Sequence, residues 1–266
     1  MDLWQTIILG IVEGVTEFLP ISSTGHMILT NQLLGVAETG FVKTFTIFIQ
    51  LGAIGAVIVL YARQWLFNWE VIKRLLVAFL PTAVIGLVFY HLVKTYLLGN
   101  SAVVLGALLL GGAGLIIFEY IHPHTTGGVG VDREPVNTVA EIVNISYRQA
   151  FIIGLCQAVA IVPGVSRAAA TIIAGLALGL KRRVVVEFSF LLAVPTMAAA
   201  AAFDLLKSLD QISVNDWKLL LVGFLTALVV ALAAIKFLLQ FIKKHDFTAF
   251  GWYRIGLAVL FWWLVL

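Results

Sequence analysis

Six runs of about twenty mostly apolar residues, at 43–62, 75–94, 100–121, 184–206, 219–241 and 249–266, confine this chain to a bilayer. Inside lipid the backbone must satisfy its own hydrogen bonds, so each run is expected to be a helix. Of 266 residues, 61% are hydrophobic and 12% charged, against about 25% charged in a soluble domain. The expected fold class is therefore all-α, a polytopic membrane protein, and a soluble core is excluded. The net charge of +3 comes from lysines and arginines at segment ends. It gives no basic surface for nucleic acid. Cys156 is the only cysteine, so no internal disulfide or thiolate metal cluster forms; it is expected to be a small buried hydrophobe. The segment Leu3 to Leu19 lacks a basic leader and carries Glu13 and Glu17, with Asp2 before it. It reads as retained structure and not as a signal peptide.

Two further apolar stretches, 3–35 and 147–182, are broken in the middle by a Pro-Ser or Pro-Gly element, which stops one helix and starts another. At 1.5 Å per residue the pieces before the breaks reach roughly 25 Å, short of a hydrocarbon core of about 30 Å. Both are expected to be re-entrant hairpins, beside six full transmembrane helices.

The halves repeat. Ile8-Leu-Gly-Ile-Val-Glu13 aligns with Ile152-Ile-Gly-Leu-Cys-Gln157, and Pro20 and Ser23 align with Pro163 and Ser166 after a one-residue slip. Phe45-Thr-Ile-Phe-Ile aligns with Phe188-Ser-Phe-Leu-Leu, and Lys73–Leu80 with Lys218–Leu225. The expected division is a first repeat over 1–121, a mobile polar cytoplasmic linker over 122–146 and a second repeat over 147–266. Each repeat crosses an odd number of times, so the second is inverted, an arrangement that places a site near the midplane where two breaks meet. Arg63, Lys73, Arg74, Arg133, Arg148, Lys181, Arg182, Arg183, Lys243 and Lys244 fall on one side; Lys43, Lys94, Lys207 and Lys218 fall on the other. The first set is expected to be cytoplasmic. Both termini and the first hairpin then face outside, and the second hairpin enters from the cytoplasm.

The breaks hold the chemistry. An ionisable group at a helix centre in lipid costs roughly 2.5–3.5 kcal/mol on insertion scales, so such residues usually mark a working site. Glu13 and Glu17 lie four apart on one helix and face one way. Paired carboxylates suit a hard divalent cation such as Mg2+ or Ca2+, or they are glutamates solvated near the surface. Ser22, Ser23 and Thr24 follow Pro20 at a helix start, where a hydroxyl caps free N–H groups. Capping accounts for one of the three hydroxyls, not for all of them, nor for His26, which a helical turn brings near a hydroxyl. An imidazole can take a proton from a nucleophile or give one to a leaving group. Arg167 follows Pro163-Gly-Val-Ser166. A guanidinium in a membrane either grips phosphate with two prongs or pairs with Glu13 or Glu17. Ser166 opens a helix whose N-terminal amides favour the same anion, and Thr171 lies about a turn further on. This set fits phosphoryl transfer on an amphiphile with a phosphate head.

Glu13-Gly-Val-Thr-Glu-Phe-Leu-Pro-Ile-Ser-Ser-Thr-Gly-His26 and Pro163-Gly-Val-Ser-Arg167 resemble the undecaprenyl-pyrophosphate phosphatase family, also called the bacitracin-resistance proteins, along essentially the whole chain. The resemblance implies removal of one phosphate from a C55 isoprenyl pyrophosphate, the lipid carrier of peptidoglycan synthesis, at the outer face of the bacterial cytoplasmic membrane. It implies an acidic motif at Glu13 and Glu17, a serine–histidine element at Ser23 and His26, and a phosphate-binding motif at Ser166, Arg167 and Thr171. The family commonly has serine where this chain has Ala168. Acid-phosphatase-like lipid phosphatases need a histidine six residues after the arginine; that position is Ile173, which excludes them.

The expected mechanism has Arg167, the amides near Ser22–Thr24 and Ser166, and a cation on Glu13 and Glu17 binding the pyrophosphate. Ser23 attacks and His26 manages its proton; His26 as nucleophile, or as base for direct attack by water, stays open. The rival is a transporter or flippase of a phosphorylated lipid, because inverted repeats with broken helices also serve transport. A homodimer is compatible with a fold of this size, and no residue is singled out for its interface.

Overall fold

The computed structural model describes residues 1–37, 39–65, 68–97, 100–122, 138–208 and 216–265. Among them there are helices and no strand. In chain order these are α1 (Leu3–Thr16), α2 (Ser23–Leu33), α3 (Gly40–Trp65), α4 (Trp69–Leu92), α5 (Ser101–Ile121), α6 (Thr138–Asn144), α7 (Tyr147–Gln157), α8 (Arg167–Ala177), α9 (Arg182–Ser208), α10 (Trp217–Phe241) and α11 (Thr248–Val265). A π-helical turn, Val93–Leu97, continues α4, and a 3-10 turn, Ala158–Ile161, continues α7. Five helices, α3, α4, α5, α9 and α10, are long and apolar enough to cross a bilayer. The sixth expected run forms α11, 18 residues long. Most of the expected linker, 123–137 with Arg133, lies outside the described residues; its end is α6, whose Ile142 joins the core.

Helix α4 starts six residues earlier than its apolar run. Asn68 caps it by accepting from the Glu70 and Val71 amides, and Glu70 pairs with Lys73 and Arg74 at 2.8 and 2.9 Å, so the acid of the first turn is paired within the helix.

The two broken stretches share one backbone plan. Asp2 and Gln5 form a capping box at the start of α1, and Ser146 and Gln149 form one at the start of α7. Each glutamine then donates across its own hairpin, Gln5 to the Leu34 carbonyl at 3.2 Å and Gln149 to the Leu178 carbonyl at 3.3 Å. The second helix of each hairpin has 11 residues and ends near a positive-φ glycine, Gly35 or Gly179. Ser22 and Ser166 are the N-caps. This corrects the slipped alignment: Ser22 matches Ser166, and Ser23 matches Arg167, because the caps fix the helix starts whatever the spacing of the prolines.

Packing between the two series is reciprocal. α1 lies on α10 and α7 on α4; α10 also lies on α3, α4 on α9, α3 on α9, and α5 on α11. In lipid, contact between apolar side chains brings little hydrophobic gain, so close packing at small residues has to hold helices together. A Cβ on Gly154 would overlap the Ala78 carbonyl, and one on Gly10 would sit 2.9 Å from the Gly223 carbonyl. Glycine at these two places lets the first helix of each hairpin seat on its partner. Leu80, Val84, Leu87, Leu110, Val229 and Trp263 remain exposed on the outside, as a lipid-facing surface requires. Cys156, expected to be buried, is partly exposed and packs at the edge of the core.

Candidate active site

Between α1 and α2 the chain turns through Glu17–Ser22; between the 3-10 turn and α8 it turns through Val162–Ser166. Ser22 takes φ +73°, the one positive-φ non-glycine residue among those described. Such a conformation costs about 1–3 kcal/mol and persists where its surroundings enforce it, often at functional sites. In the second turn Gly164 supplies the left-handed position at φ +93°, and a Cβ there would lie 2.7 Å from the Val104 carbonyl of α5.

The turns meet through Glu17. Its Oε2 accepts from the Ser23 hydroxyl at 2.6 Å, and its Oε1 accepts from Arg167 Nη2 at 3.3 Å. Arg167 Nη1 donates to the Ser189 carbonyl of α9 at 2.9 Å, and the guanidinium lies 6.0 Å from the centre of the Phe18 ring. Glu17 N–H donates to the Glu13 carbonyl at 3.0 Å, which keeps the two acids one turn apart although α1 has ended. Glu13 is fully buried, and neither carboxylate oxygen has a hydrogen-bond donor; Arg167 Nε is likewise buried without an acceptor. Buried polar atoms without partners are uncommon and call for an explanation.

His26 does not hydrogen-bond the Ser22 or Ser23 hydroxyl that its spacing suggested. Its Nδ1 lies 2.8 Å from the Ser22 carbonyl oxygen, and its Nε2 lies 2.7 Å from the Tyr253 hydroxyl of α11. The Ser22 hydroxyl instead accepts from the Gly25 amide, and that of Ser166 from the Ala169 amide. Both serines therefore serve as caps in this arrangement. Thr24 is half-buried on the first turn of α2. Thr171 is buried behind Arg167: its hydroxyl contacts the Arg167 and Ala168 carbonyls and shares a 2.6 Å hydrogen bond with Ser189 Oγ. It braces the arginine from behind. Among the described residues no three His, Cys, Asp or Glu side chains converge as a metal-ligand group.

Arg254 escaped the sequence reading. It is buried, and it donates to the carbonyls of Pro20 at 3.4 Å, Ala107 at 2.9 Å and Gly164 at 3.0 Å. One guanidinium thus ties both turns to α5. A lone arginine inside the run 249–266 was the available signal, since charge at membrane depth is costly wherever it falls. Ser189, in the apolar middle of α9, gave a weaker signal of the same kind. Tyr253 gave none, because tyrosine is common near membrane interfaces.

The arrangement is a hydroxyl on a carboxylate, a guanidinium on the same carboxylate, a second acid beside them, and two capped helix N-termini. It offers a nucleophile with a proton acceptor and a cationic cradle for an anion.

Comparison with known proteins agrees with that chemistry. The family model described as bacitracin resistance protein BacA matches residues 6–260. A protein of Aquifex aeolicus named undecaprenyl-diphosphatase is 46% identical over 261 residues, covering 98% of each chain. Proteins of the same name from Sulfurihydrogenibium and Thermus thermophilus are each 45% identical, covering 98% of this chain and 99% and 97% of theirs. The chain belongs to the bacitracin resistance protein BacA family.

Proposed function

We propose that this protein removes the terminal phosphate of undecaprenyl diphosphate and leaves the monophosphate, recycling the lipid carrier of peptidoglycan synthesis and conferring bacitracin resistance. The observation that carries this reading is Glu17 bridging Ser23 and Arg167, which sets an activated hydroxyl beside a phosphate grip. The near-full-length relatives named for this activity support it; none of those quoted is named as a transporter or flippase.

Ser23 Oγ attacks the terminal phosphorus, and Glu17 takes its proton. The bond from phosphorus to the bridging oxygen breaks, and undecaprenyl monophosphate leaves. Water then attacks the phosphoserine while His26 accepts a water proton; the P–Oγ bond breaks, Ser23 recovers its proton from Glu17, and phosphate departs. Arg167 and the N-terminal amides of α2 and α8 hold charge that develops on the phosphoryl oxygens. The geometry favours Glu17 over His26 as the base for Ser23, because Glu17 already accepts its hydrogen bond. The two orphaned oxygens of Glu13 fit a hard divalent cation, Mg2+ or Ca2+, held with Glu17. When bound, such a cation neutralises diphosphate charge.

The inverted repeat, with one hairpin entering from each side, is part of this reading. The matched capping boxes and reciprocal packing support it. So is the placement in the bacterial cytoplasmic membrane with the site opening to the periplasm or exterior. An apolar groove of about 330 Å³, lined by Ile85, Phe89 and Leu97 on one wall and Leu155, Val159 and Val162 on the other, is proposed to seat the start of the isoprenyl tail. It ends one residue before Pro163, and Val162 precedes Arg167 by at most ~18 Å of extended chain. The π-helical turn forms part of one wall and the 3-10 turn part of the other.

The test is phosphate release by the purified protein in detergent from an isoprenyl diphosphate. Turnover by wild type and loss of at least ~100-fold in Ser23→Ala support the reading. Substrate binding without cleavage supports the transporter instead, and near-normal turnover by Ser23→Ala removes the serine route.

A further inference from the structure

We infer that Tyr253 is a positioning residue that holds the direction of His26, whose tautomer the Ser22 carbonyl sets. The inference rests on the reading that His26 handles a proton in the reaction. The Ser22 carbonyl can only accept, so His26 Nδ1 carries a hydrogen and donates to it at 2.8 Å. A neutral imidazole has one N–H, which leaves the lone pair on Nε2. The Tyr253 hydroxyl, 2.7 Å away, therefore donates to Nε2. The two rings lie nearly parallel, 3° apart with centroids at 5.5 Å. His26 is 8% exposed and Tyr253 49%, so the contact runs from a buried imidazole to a half-exposed phenol.

Both ends of this contact are held. On one side the Ser22 carbonyl is aimed by a backbone at φ +73°. On the other, Arg254, the next residue to Tyr253, is fastened to the Pro20, Ala107 and Gly164 carbonyls. A helix pinned there cannot carry Tyr253 away from His26 without releasing both turns. Ser23 has its own acceptor in Glu17, so Tyr253 acts through the imidazole and not on the nucleophile. The result is an imidazole whose Nε2 lone pair is aimed before substrate arrives; the attacking water displaces the phenol hydroxyl from Nε2, by side-chain rotation of Tyr253, as its proton transfers there.

Four proteins test this: wild type, Tyr253→Phe, His26→Ala and the double variant, each assayed for kcat and KM on an isoprenyl diphosphate. Phenylalanine keeps the stacked ring and removes only the hydroxyl. Tyr253→Phe should lower kcat roughly five- to tenfold, the loss of one orienting hydrogen bond, with KM unchanged within about twofold. In the His26→Ala background the same change should alter kcat by less than about twofold, since residues that act through one another are not additive. Equal losses in both backgrounds, or no loss in the single variant, overturn the inference while leaving His26's role intact. Full turnover by His26→Ala overturns the role of His26 and the inference with it. Histidine 15N NMR adds a second readout, with His26→Ala assigning the signal. Both proteins should show the Nδ1-protonated form, with the Nε2 resonance displaced in Tyr253→Phe by loss of the phenol hydrogen bond; an identical Nε2 signal in the two proteins counts against the inference.

Discussion

The two broken hairpins share a backbone and divide the chemistry. Each opens with a capping box, each glutamine reaches the far end of its hairpin, and each second helix runs 11 residues from a serine cap. The side chains at matched positions differ. The first hairpin has Glu13 where the second has Gln157, and it opens its second helix with Ser23 where the other opens with Arg167. The proposed nucleophile and the proposed phosphate grip thus occupy equivalent places. Gln157 donates to the hydroxyls of Thr82 and Thr196 at 2.9 and 3.2 Å, a neutral arrangement that joins α7 to α4 and α9. Glu13 has no such partners. On two similar backbones, the side chains at matched positions make one hairpin anionic and the other cationic, so that each holds the other's charge across Glu17–Arg167.

The largest break in that comparison should come at the bridge. Glu17→Gln removes the base that takes the Ser23 proton and the counter-charge of Arg167; phosphate release should fall roughly 100- to 10,000-fold, the range of general base catalysis. A loss under tenfold would mean that another group takes the Ser23 proton. Next is Glu13→Gln, which gives the first hairpin the residue of the second. Turnover should drop on the order of 100-fold and its dependence on added Mg2+ or Ca2+ should weaken, whereas Gln157→Leu should stay within about threefold of wild type. Comparable losses at the two positions would refute the division of labour. A smaller effect is expected from Val159→Trp, which fills the apolar groove. KM for a long-chain isoprenyl diphosphate should rise roughly fivefold, with little change for a short-chain analogue and none from Leu110→Trp on another exposed face. Equal effects on both chain lengths would empty the groove of its assigned role. The smallest concerns Ala168→Ser, which restores the hydroxyl common in the family. Ala168 is buried beside Arg167, and activity should stay within about twofold.

Much of this was legible in the chain. Glu17, Ser23 and Arg167 stood out because charge and hydroxyls inside apolar runs are costly and rarely idle, and the structure brings those three together. Arg254 obeyed the same rule and was passed over because it lay apart from a motif. The pairing of repeats was visible up to the prolines, then slipped by one, since backbone caps and not proline spacing define where α2 and α8 begin. Thr171 read as a phosphate ligand from its place in the motif, yet its hydroxyl faces the α8 carbonyls and Ser189. Spacing along a helix gives the face of a residue, not what lies opposite.

Alone, the sequence determined the solvent, the helical class and the places where polar residues had to gather, because lipid penalises every unsatisfied backbone group and every buried charge. Which proton acceptor faces Ser23, which hydroxyl faces His26 and what joins the two turns were decided only by tertiary structure. Those contacts span 150 residues or more in two of the three cases, Glu17 to Arg167 and His26 to Tyr253. A distance of 2.7 to 3.3 Å between residues so far apart depends on how whole helices pack, and no local pattern encodes it.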